Sequence, residues 1–436
     1  MDNKLGVRKW FAFILAGFVG QLAWAIENNY LNLYVFHCTQ NTDFIPVMTA
    51  LSAITATVVT LLMGALSDRL GKRKIFISLG YIIWGISIIL FAFLDPTNTI
   101  SIVGVNGIFL SGVLIVIMDC VMTFFGSTAN DAAFNASVTE NTNENNRGKV
   151  ESVLSVLPLF AMIAVVGVGG IFVDGSEKHW DTFFYLFGGL TIVAGIISLF
   201  LYPKDIAKSN KEEPYFKNII HGFKPSVIKE NKLLYLSLIC FMVFNIGIQV
   251  FMPYFMVYIQ EGLKIQGWDF TIALGIVLVV ASIFTIVVGL FMDKIGKNKL
   301  IFPALGIAIV GSIIMTFVSE GQQIGVIIGG IILMSGYLIS TAILGAKVRD
   351  YTPAEQVGLF QGVRMVFVVM LPMISGPYIG KGVSEINAVK YVNEFNETVT
   401  RPNQFIFLFT AIVLLVAVIP LIILLRKEKK QNEKAA

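Results

Sequence analysis

Long apolar runs, most of them 20 residues or more, recur along the whole chain between short polar segments. About 20 apolar residues in a helix cross a hydrocarbon core roughly 30 Å thick. The runs are continuous rather than alternating, which favours helices over the strands of a membrane barrel. The pattern predicts twelve membrane-spanning helices, at residues 10–37, 44–66, 75–94, 101–134, 149–173, 182–202, 233–260, 269–292, 300–318, 324–348, 357–380 and 403–425.

The composition agrees with a protein that lies almost wholly in a membrane. Of its 436 residues, 56% are hydrophobic and only 14% are charged, and the mean hydropathy is +0.78. Soluble domains carry about 25% charged residues. We therefore expect an all-α integral membrane protein without a cleavable signal peptide or a soluble domain.

Basic residues predict the orientation of the helices, because Lys and Arg are retained on the cytoplasmic side. With the amino terminus inside, 26 of the 32 Lys and Arg residues lie in cytoplasmic segments. We expect a multi-pass protein of the plasma membrane, with both termini cytoplasmic. The net charge of +4 then reflects topology and contact with anionic lipid, and indicates no nucleic-acid partner.

The longest polar interruption divides the helices into two sets of six. Residues 203–232 contain seven lysines and three prolines, which indicates a cytoplasmic linker. We expect an N-terminal bundle over residues 1–202, a C-terminal bundle over 233–425 and a basic cytoplasmic tail over 426–436.

A cassette of glycine, acid and basic residues occurs twice. The chain reads GALSDRLGKRK at residues 64–74 and GLFMDKIGKNK at residues 289–299. Each copy falls between the second and third helices of its half, as expected for an internal repeat of a six-helix unit. Its members are Gly64, Asp68, Arg69, Gly71 and Arg73 in the first copy, and Gly289, Asp293, Lys294 and Gly296 in the second.

This cassette resembles the signature of the major facilitator superfamily. The resemblance implies twelve helices in two pseudo-symmetric six-helix bundles, with a central cavity that opens alternately to each side. It further implies that both cassettes take part in gating, and that the protein is a secondary transporter acting as a monomer. No nucleophile, catalytic triad or phosphate loop is evident, so an enzyme is not expected.

Some of the few ionisable residues inside the predicted spans are candidates for function: Glu27, Asp119, Asp131 and Arg364. A charge near the bilayer centre costs about 2.5 to 3.5 kcal/mol on insertion scales and normally faces a cavity or a partner. We expect these residues to serve substrate binding or ion coupling. Which of Asp119 and Asp131 faces the cavity depends on where helix 4 ends, and structural pairing is the simpler alternative for each.

Polar residues follow one side of helix 1. Gln21, Trp24, Glu27, Asn28 and Asn32 fall at i, i+3, i+6, i+7 and i+11, which predicts one broad face. An indole ring beside amides and a carboxylate suits a polyhydroxylated ligand, because the ring covers the apolar side of a sugar while the polar groups bind its hydroxyls.

Further polar residues in other helices are candidates for the same cavity, although Ser and Thr often serve helix packing instead. They are Thr123, Ser127 and Asn130 in helix 4, Asn245 and Gln249 in helix 7, and Gln361 in helix 11.

Two stretches resemble particular sugar transporters. Residues 128–148 resemble the glycoside-pentoside-hexuronide cation symporters, in which the positions of Thr128 and Asp131 contribute to a cation site. Those symporters also carry two acids in helix 2, where this chain has Ala56 and Thr60. We therefore expect the proton rather than sodium as the coupling ion. The segment LAWAIENNY resembles sucrose–proton symporters and their relatives.

The sequence therefore predicts proton-coupled uptake of a sugar or glycoside by alternating access. Glu27 is the first candidate for the proton or sugar site, either alone or paired with Arg364. An efflux antiporter for amphiphiles and a transport-like sensor are the alternatives. We expect no cofactor and no metal, because the three cysteines and three histidines show no ligand spacing.

Overall fold

A computed structural model of the chain describes residues 6–96, 107–142, 147–174, 178–202, 222–353, 357–386, 388, 390–392 and 398–435. Within these residues, twelve helices are long and apolar enough to cross a membrane. The predicted all-α membrane fold with twelve spanning helices is confirmed.

The helices fall into two compact units that divide the chain between residues 213 and 214. Residues 203–221 of the predicted linker lie outside the described residues, and a short helix, Pro225–Glu230, precedes the second unit's first span. The first unit contains α1 (Val7–Thr39), α2 (Phe44–Leu70), α3 (Arg73–Phe93), α4 (Gly107–Asn141), α5 (Arg147–Phe172) and α6 (Trp180–Leu201). The second contains α7 (Lys232–Gly262), α8 (Gly267–Ile295), α9 (Lys297–Thr316), α10 (Gln323–Tyr351), α11 (357–384) and α12 (Phe405–Ala435).

Two helices extend furthest beyond their predicted ends. α4 continues to Asn141 rather than 134, and α12 continues through the predicted tail to Ala435 rather than ending at 425. Charged residues in the tail can support a helix, as the Lys429–Glu433 pair at 3.8 Å shows. A hydropathy pattern marks only the membrane-embedded part of such a helix.

The helix packing repeats between the two units. In the first unit, α1 packs against α5, α2 against α4 and α3 against α6. Each contact has a counterpart six helices later in the second unit, where α7 packs against α11, α8 against α10 and α9 against α12. The repeated cassettes are therefore part of a repeated structure.

Small residues allow the closest of these contacts. A side chain added at Gly85 of α3 would place its Cβ 2.5 Å from the backbone oxygen of Gly188 in α6, and the reverse change would give 2.7 Å. Membrane helices associate through such close backbone approach, because lipid provides no hydrophobic drive for packing.

One antiparallel hairpin lies between α11 and α12. Its strands are β1 (Lys390–Val392) and β2 (Thr398–Thr400), with Tyr391 opposite Val399. The intervening residues 393–397 lie outside the described part of the chain.

Candidate functional site

Among the described residues, wide π-helical turns interrupt four of the spanning helices. They are Ile26–Tyr30 in α1, Ser127–Phe134 in α4, Tyr258–Gly262 in α7 and Val366–Met370 in α11. Such turns are rare and frequently lie at functional sites. The first contains Glu27 and the second contains Thr128 and Asp131.

Amide side chains bond the backbone around the π turn of α1. The amide nitrogens of Asn28, Asn29 and Asn32 donate to the carbonyl oxygens of Trp24, Ala25 and Asn28, at 2.8, 3.0 and 3.0 Å. A π turn disrupts the regular i to i−4 backbone bonding, and these amides supply alternative donors. The helix 1 amides therefore have a structural role in addition to any ligand contact.

The residues of α1 that were predicted to share one face differ in their exposure. Glu27 is buried, with 7% of its surface accessible, whereas the adjacent Asn28 is exposed, and Gln21 and Trp24 are half-buried. The prediction assumed 3.6 residues per turn along the whole helix. The wider turn begins at Ile26, after Gln21 and Trp24, and the Glu27 carboxylate points into the first unit's own bundle.

Glu27 meets two hydroxyl groups from neighbouring helices. Ser52 of α2 and Thr123 of α4 each lie 2.8 Å from the same carboxyl oxygen, Oε1. The two hydroxyl oxygens also lie 2.8 Å from each other. The three oxygens form a closed triangle that joins α1, α2 and α4.

Two carboxyl oxygens near this triangle are buried without a hydrogen-bond partner among the described residues: Oε2 of Glu27 and Oδ1 of Asp119. Asp119 is 1% exposed and lies one helical turn before Thr123. The Ser52 hydroxyl group also faces the Asp119 carboxyl group. The structure therefore brings Glu27 and Asp119 together around Ser52.

Asp131 has a different environment. It is half-buried and accepts a 3.1 Å hydrogen bond from Ser127 on its own helix. Thr128, which was predicted to act with it, donates to the carbonyl oxygen of Phe124 at 2.7 Å.

The other polar residues of α1 and α4 form a chain with α3. Trp24 Nε1 donates to Asn130 Oδ1 at 3.4 Å, and the Asn130 amide donates to the Tyr81 hydroxyl at 2.7 Å. The Trp24 ring also packs against Trp84, with 5.1 Å between ring centroids. Trp24 therefore contributes to packing between helices as well as to the accessible surface.

In the second unit, the predicted polar residues lie at the contact of α7 with α11. Asn245 donates to the carbonyl oxygen of Val368, inside the α11 π turn, at 2.8 Å. The backbone of α11 at Gly376 packs closely on Gln249. Arg364 is half-buried, and none of the ion pairs found among the described residues includes it. The side chain of Gln361 lies outside the described residues.

The first cassette forms the turn between α2 and α3. Gly71 ends α2 in a left-handed conformation, with φ of 62°, which favours glycine. Arg73 is buried and donates to Glu140 Oε1 of α4 at 2.8 and 3.1 Å, and to Ser67. The Gly64 carbonyl oxygen accepts a bond from Ser67, and Arg69 is exposed.

The second cassette forms the matching turn between α8 and α9. Gly296 has φ of 94°, Lys294 is exposed, and no atom would obstruct a side chain at Gly289. The side chains of Asp68 and Asp293, the acids of the two cassettes, lie outside the described residues.

Several site residues were not singled out from the sequence. Ser52, Asn29, Tyr81 and Glu140 are single polar residues in apolar or loop sequence, and nothing in their spacing marks them. Among the described residues, no group of three or more His, Cys, Asp or Glu side chains is arranged to hold a metal ion.

The family can be decided from the sequence match. The model of the Major Facilitator Superfamily matches residues 9–377. The chain belongs to this superfamily. It is accordingly a multi-pass membrane transporter, and the paired bundles with repeated cassettes are the superfamily's fold. Among curated proteins, none matches the chain significantly.

Solved structures of other superfamily members share this fold. An Asp-to-Ala mutant of the nucleoside transporter NupG matches with a TM-score of 0.74 and 13% identity, over 95% of this chain and 99% of that one. The xylose transporter XylE from E. coli, in a partially occluded inward open conformation, matches with a TM-score of 0.64 and 15% identity. The match covers 94% of this chain and 96% of that one. A D-xylose–proton symporter matches with a TM-score of 0.67 and 15% identity, over 94% of this chain and 97% of that one.

Proposed function

We propose that this protein is a proton-coupled importer of a sugar or glycoside, and that Glu27 carries the coupling proton. The observation that carries the proposal is the triangle of oxygens formed by Glu27, Ser52 and Thr123. It lies inside a bundle of a transporter fold, at one of the few carboxylates in the spans.

The triangle requires more protons than its two hydroxyl groups supply. A hydroxyl group has one hydrogen to donate, so Ser52 and Thr123 provide two protons for three contacts of 2.8 Å. All three contacts become hydrogen bonds if Glu27 is protonated and donates to one hydroxyl. The arrangement therefore suits a neutral carboxylic acid.

The partnerless oxygens support the same protonation state. A buried carboxylate oxygen without a donor carries a large desolvation cost, which falls when the group is neutral. Glu27 Oε2 and Asp119 Oδ1 are both in that position. We therefore assign Asp119 as the second acid of the proton site, ahead of the half-exposed Asp131.

Coupling follows from the cost of moving a charge through the transport cycle. With a proton bound, the first bundle buries a neutral site, which favours reorientation between the two sides. Without the proton, the buried charge disfavours reorientation with substrate bound, so that substrate moves inward only together with a proton. Arg364, always charged, serves as a binding group for the substrate or for a carboxylate.

A sugar is favoured as the substrate by the accessible side chains near Glu27 and by one structural neighbour. Trp24 is half-buried and Asn28 is exposed beside the proton site, so an indole ring and an amide are accessible to a polyhydroxylated ligand. One structural neighbour is a D-xylose–proton symporter, although the likeness itself concerns the fold.

Uptake into proteoliposomes tests the proposal. Labelled pentoses, hexoses, disaccharides and nucleosides would be offered under proton and sodium gradients imposed separately. We expect accumulation of a sugar under an inward proton gradient and none under a sodium gradient alone. Nucleoside uptake without sugar uptake, sugar uptake indifferent to protons, or dye export alone would each contradict the proposal.

The Glu27→Gln variant tests the site, since glutamine keeps the shape of the side chain but cannot exchange a proton. We expect loss of uphill accumulation with substrate exchange retained at equal concentrations. The control is Glu385→Gln, which removes an exposed carboxylate at the end of α11 and should leave accumulation unchanged. Normal proton-driven accumulation by Glu27→Gln would remove Glu27 from the coupling role.

A further inference from the structure

The second unit contains a cleft beside the π turn of α7, separate from Asn245, Gln249 and Arg364. It has a volume of about 690 Å³ and lies where α7 and α9 end and α12 begins, with the hairpin along one side. Ligand pockets of small molecules measure about 300 to 1,000 Å³. Its lining residues with polar or ionisable side chains include Tyr258, Glu261, Lys264, Tyr391, Arg401 and Asn403.

Arg401 is held in the cleft by an aromatic ring. Its guanidinium group lies 4.1 Å from the centroid of the Tyr391 ring, close enough for a cation–π contact. Burial raises the pKa of the Tyr391 phenol, so the ring is neutral and contributes no compensating charge. Stacking of this kind fixes the plane of the guanidinium group and leaves its edges for hydrogen bonds.

The hydrogen-bonding capacity of Arg401 is only partly used, because the Tyr391 hydroxyl is its one side-chain partner among the described residues. Nη1 makes one long contact, 3.5 Å, to the carbonyl oxygen of Glu261. Nε is buried and has no hydrogen-bond partner among the described residues. A charged donor buried without a partner is costly, and an anion bound to the remaining nitrogens of the guanidinium group would offset that cost.

Other charges in the cleft leave Arg401 as the available cation. Lys264 pairs with the Glu261 carboxylate at 3.4 Å, and Glu320 at the rim is exposed. Among the described residues, Arg401 forms no ion pair with either acid.

The walls of the cleft are fixed by backbone contacts. Gly321 N donates to the carbonyl oxygen of Leu263 at 2.8 Å, joining the loop after α9 to the loop after α7. The Asn403 amide donates to the carbonyl oxygens of Ser384 and Ile386, each at 3.0 Å. A preformed cleft loses less entropy when it binds a ligand.

We propose that this cleft binds a carboxylate- or phosphate-bearing ligand, with Arg401 as the anchor of its anionic group. Arginine donates paired, charge-assisted hydrogen bonds to both groups. The cleft lies at the ends of membrane spans, so the anion comes either from a free solute or from a lipid headgroup. The proposal does not depend on which substrate is transported.

Binding to the full-length protein in neutral detergent tests the site, measured by calorimetry and by the shift of Tm. The probes are D-glucuronate and inorganic phosphate, with D-glucose as the neutral comparison. We expect the anions to bind the wild type and glucose to have no effect at this cleft. Arg401→Gln should weaken anion binding at least about tenfold, and Arg401→Lys should weaken it less.

Lys390→Gln is the matched control, because it removes a positive charge from the same hairpin but outside the cleft. It should bind as the wild type does. In a second arm, nanodiscs of phosphatidylcholine with or without phosphatidylglycerol are examined by native mass spectrometry. Lipid retention that depends on Arg401 assigns the headgroup source, and displacement by glucuronate assigns a free solute.

Two results would overturn the proposal. One is the absence of both anion binding and Arg401-dependent lipid retention in the wild type. The other is equal binding by the wild type and a folded Arg401→Gln variant, shown to be folded by an unchanged elution volume and Tm.

Discussion

At the residue scale, Ser52 is the link between the two buried acids. Its hydroxyl group contacts Glu27 Oε1 and Thr123 and faces Asp119. Serine in a membrane helix ordinarily bonds its own backbone or a neighbouring helix. A serine that contacts a carboxylate on a second helix and a hydroxyl on a third instead couples the chemistry of those groups.

The Ser52→Ala variant should reduce proton-driven accumulation several-fold while leaving expression and Tm near the wild type. Removal of the hydroxyl leaves Glu27 with Thr123 alone and opens the triangle. Ser52→Thr restores a hydroxyl group and should recover most of the accumulation, measured in proteoliposomes.

The control for this series is Ser87→Ala. Ser87 is a buried serine of α3 whose hydroxyl donates to the carbonyl oxygen of Trp84 on the same helix, at 2.6 Å. If Ser87→Ala impairs accumulation as much as Ser52→Ala does, the loss reflects packing and not the triangle.

At the element scale, α1 and α4 are held together by a close contact beside the site. A Cβ atom at Gly20 would lie 2.2 Å from the Asn130 amide nitrogen and 2.6 Å from the Tyr81 hydroxyl oxygen. These two groups form the polar chain that Trp24 joins. A glycine at this position therefore sets the distance between α1 and α4.

The Gly20→Ala variant should be destabilised by about 1 to 3 kcal/mol, the usual cost of overpacking, and its Tm should fall. Gly189→Ala in α6 is the control, because no atom lies within 4 Å of the added Cβ. The Tm of that variant should rise slightly, since alanine stabilises a helix relative to glycine by up to about 1 kcal/mol. Equal Tm values for the two variants would contradict the close packing of Gly20 against Asn130 and Tyr81.

Sequence patterns predicted the elements well but not their local irregularities. Twelve spans follow from apolar runs, because crossing lipid imposes a length and a composition on each helix. The π turns leave no such signal, and the difference in exposure between Glu27 and Asn28 was not expected from the shared face that 3.6-residue spacing predicts. Burial of Glu27 against Ser52 depends on contacts between distant parts of the chain, which a single sequence does not specify.

At the scale of the whole molecule, the predicted tail is part of the second unit. Lys347 of α10 has a side chain only 3% exposed, and it pairs with Glu428 of α12 at 3.0 Å. Asn298 donates to the same carboxylate oxygen at 3.2 Å. Residues after 425 therefore neutralise a buried charge next to the second cassette.

The Glu428→Gln variant should destabilise the protein by about 3 to 5 kcal/mol, because loss of one partner leaves a buried charge uncompensated. Thermal unfolding in detergent measures the effect. Glu433→Gln is the control, as its partner Lys429 is exposed and the pair is 3.8 Å apart; such pairs contribute about 0 to 1 kcal/mol. A similar loss of stability in both variants would show that the Lys347–Glu428 pair stabilises the protein no more than the exposed Lys429–Glu433 pair does.

The orientation of the whole molecule can be measured with introduced cysteines. Cys38 and Cys240 are buried and Cys120 is half-buried in α4, so background labelling should be low. With cytoplasmic termini, Lys178→Cys should react with an impermeant thiol reagent in intact cells, and Lys299→Cys only after permeabilisation. The reverse pattern would contradict the predicted topology.

The contact between Trp24 and Trp84 gives the first bundle an optical signal of its own. Two indole rings 5.1 Å apart and inclined by 59° couple electronically, so their absorption and emission depend on their mutual geometry. One ring belongs to the helix that carries Glu27 and the other to α3. Any rearrangement of these two helices during the cycle will change near-ultraviolet circular dichroism and fluorescence, so that substrate and proton binding can be followed without an attached dye.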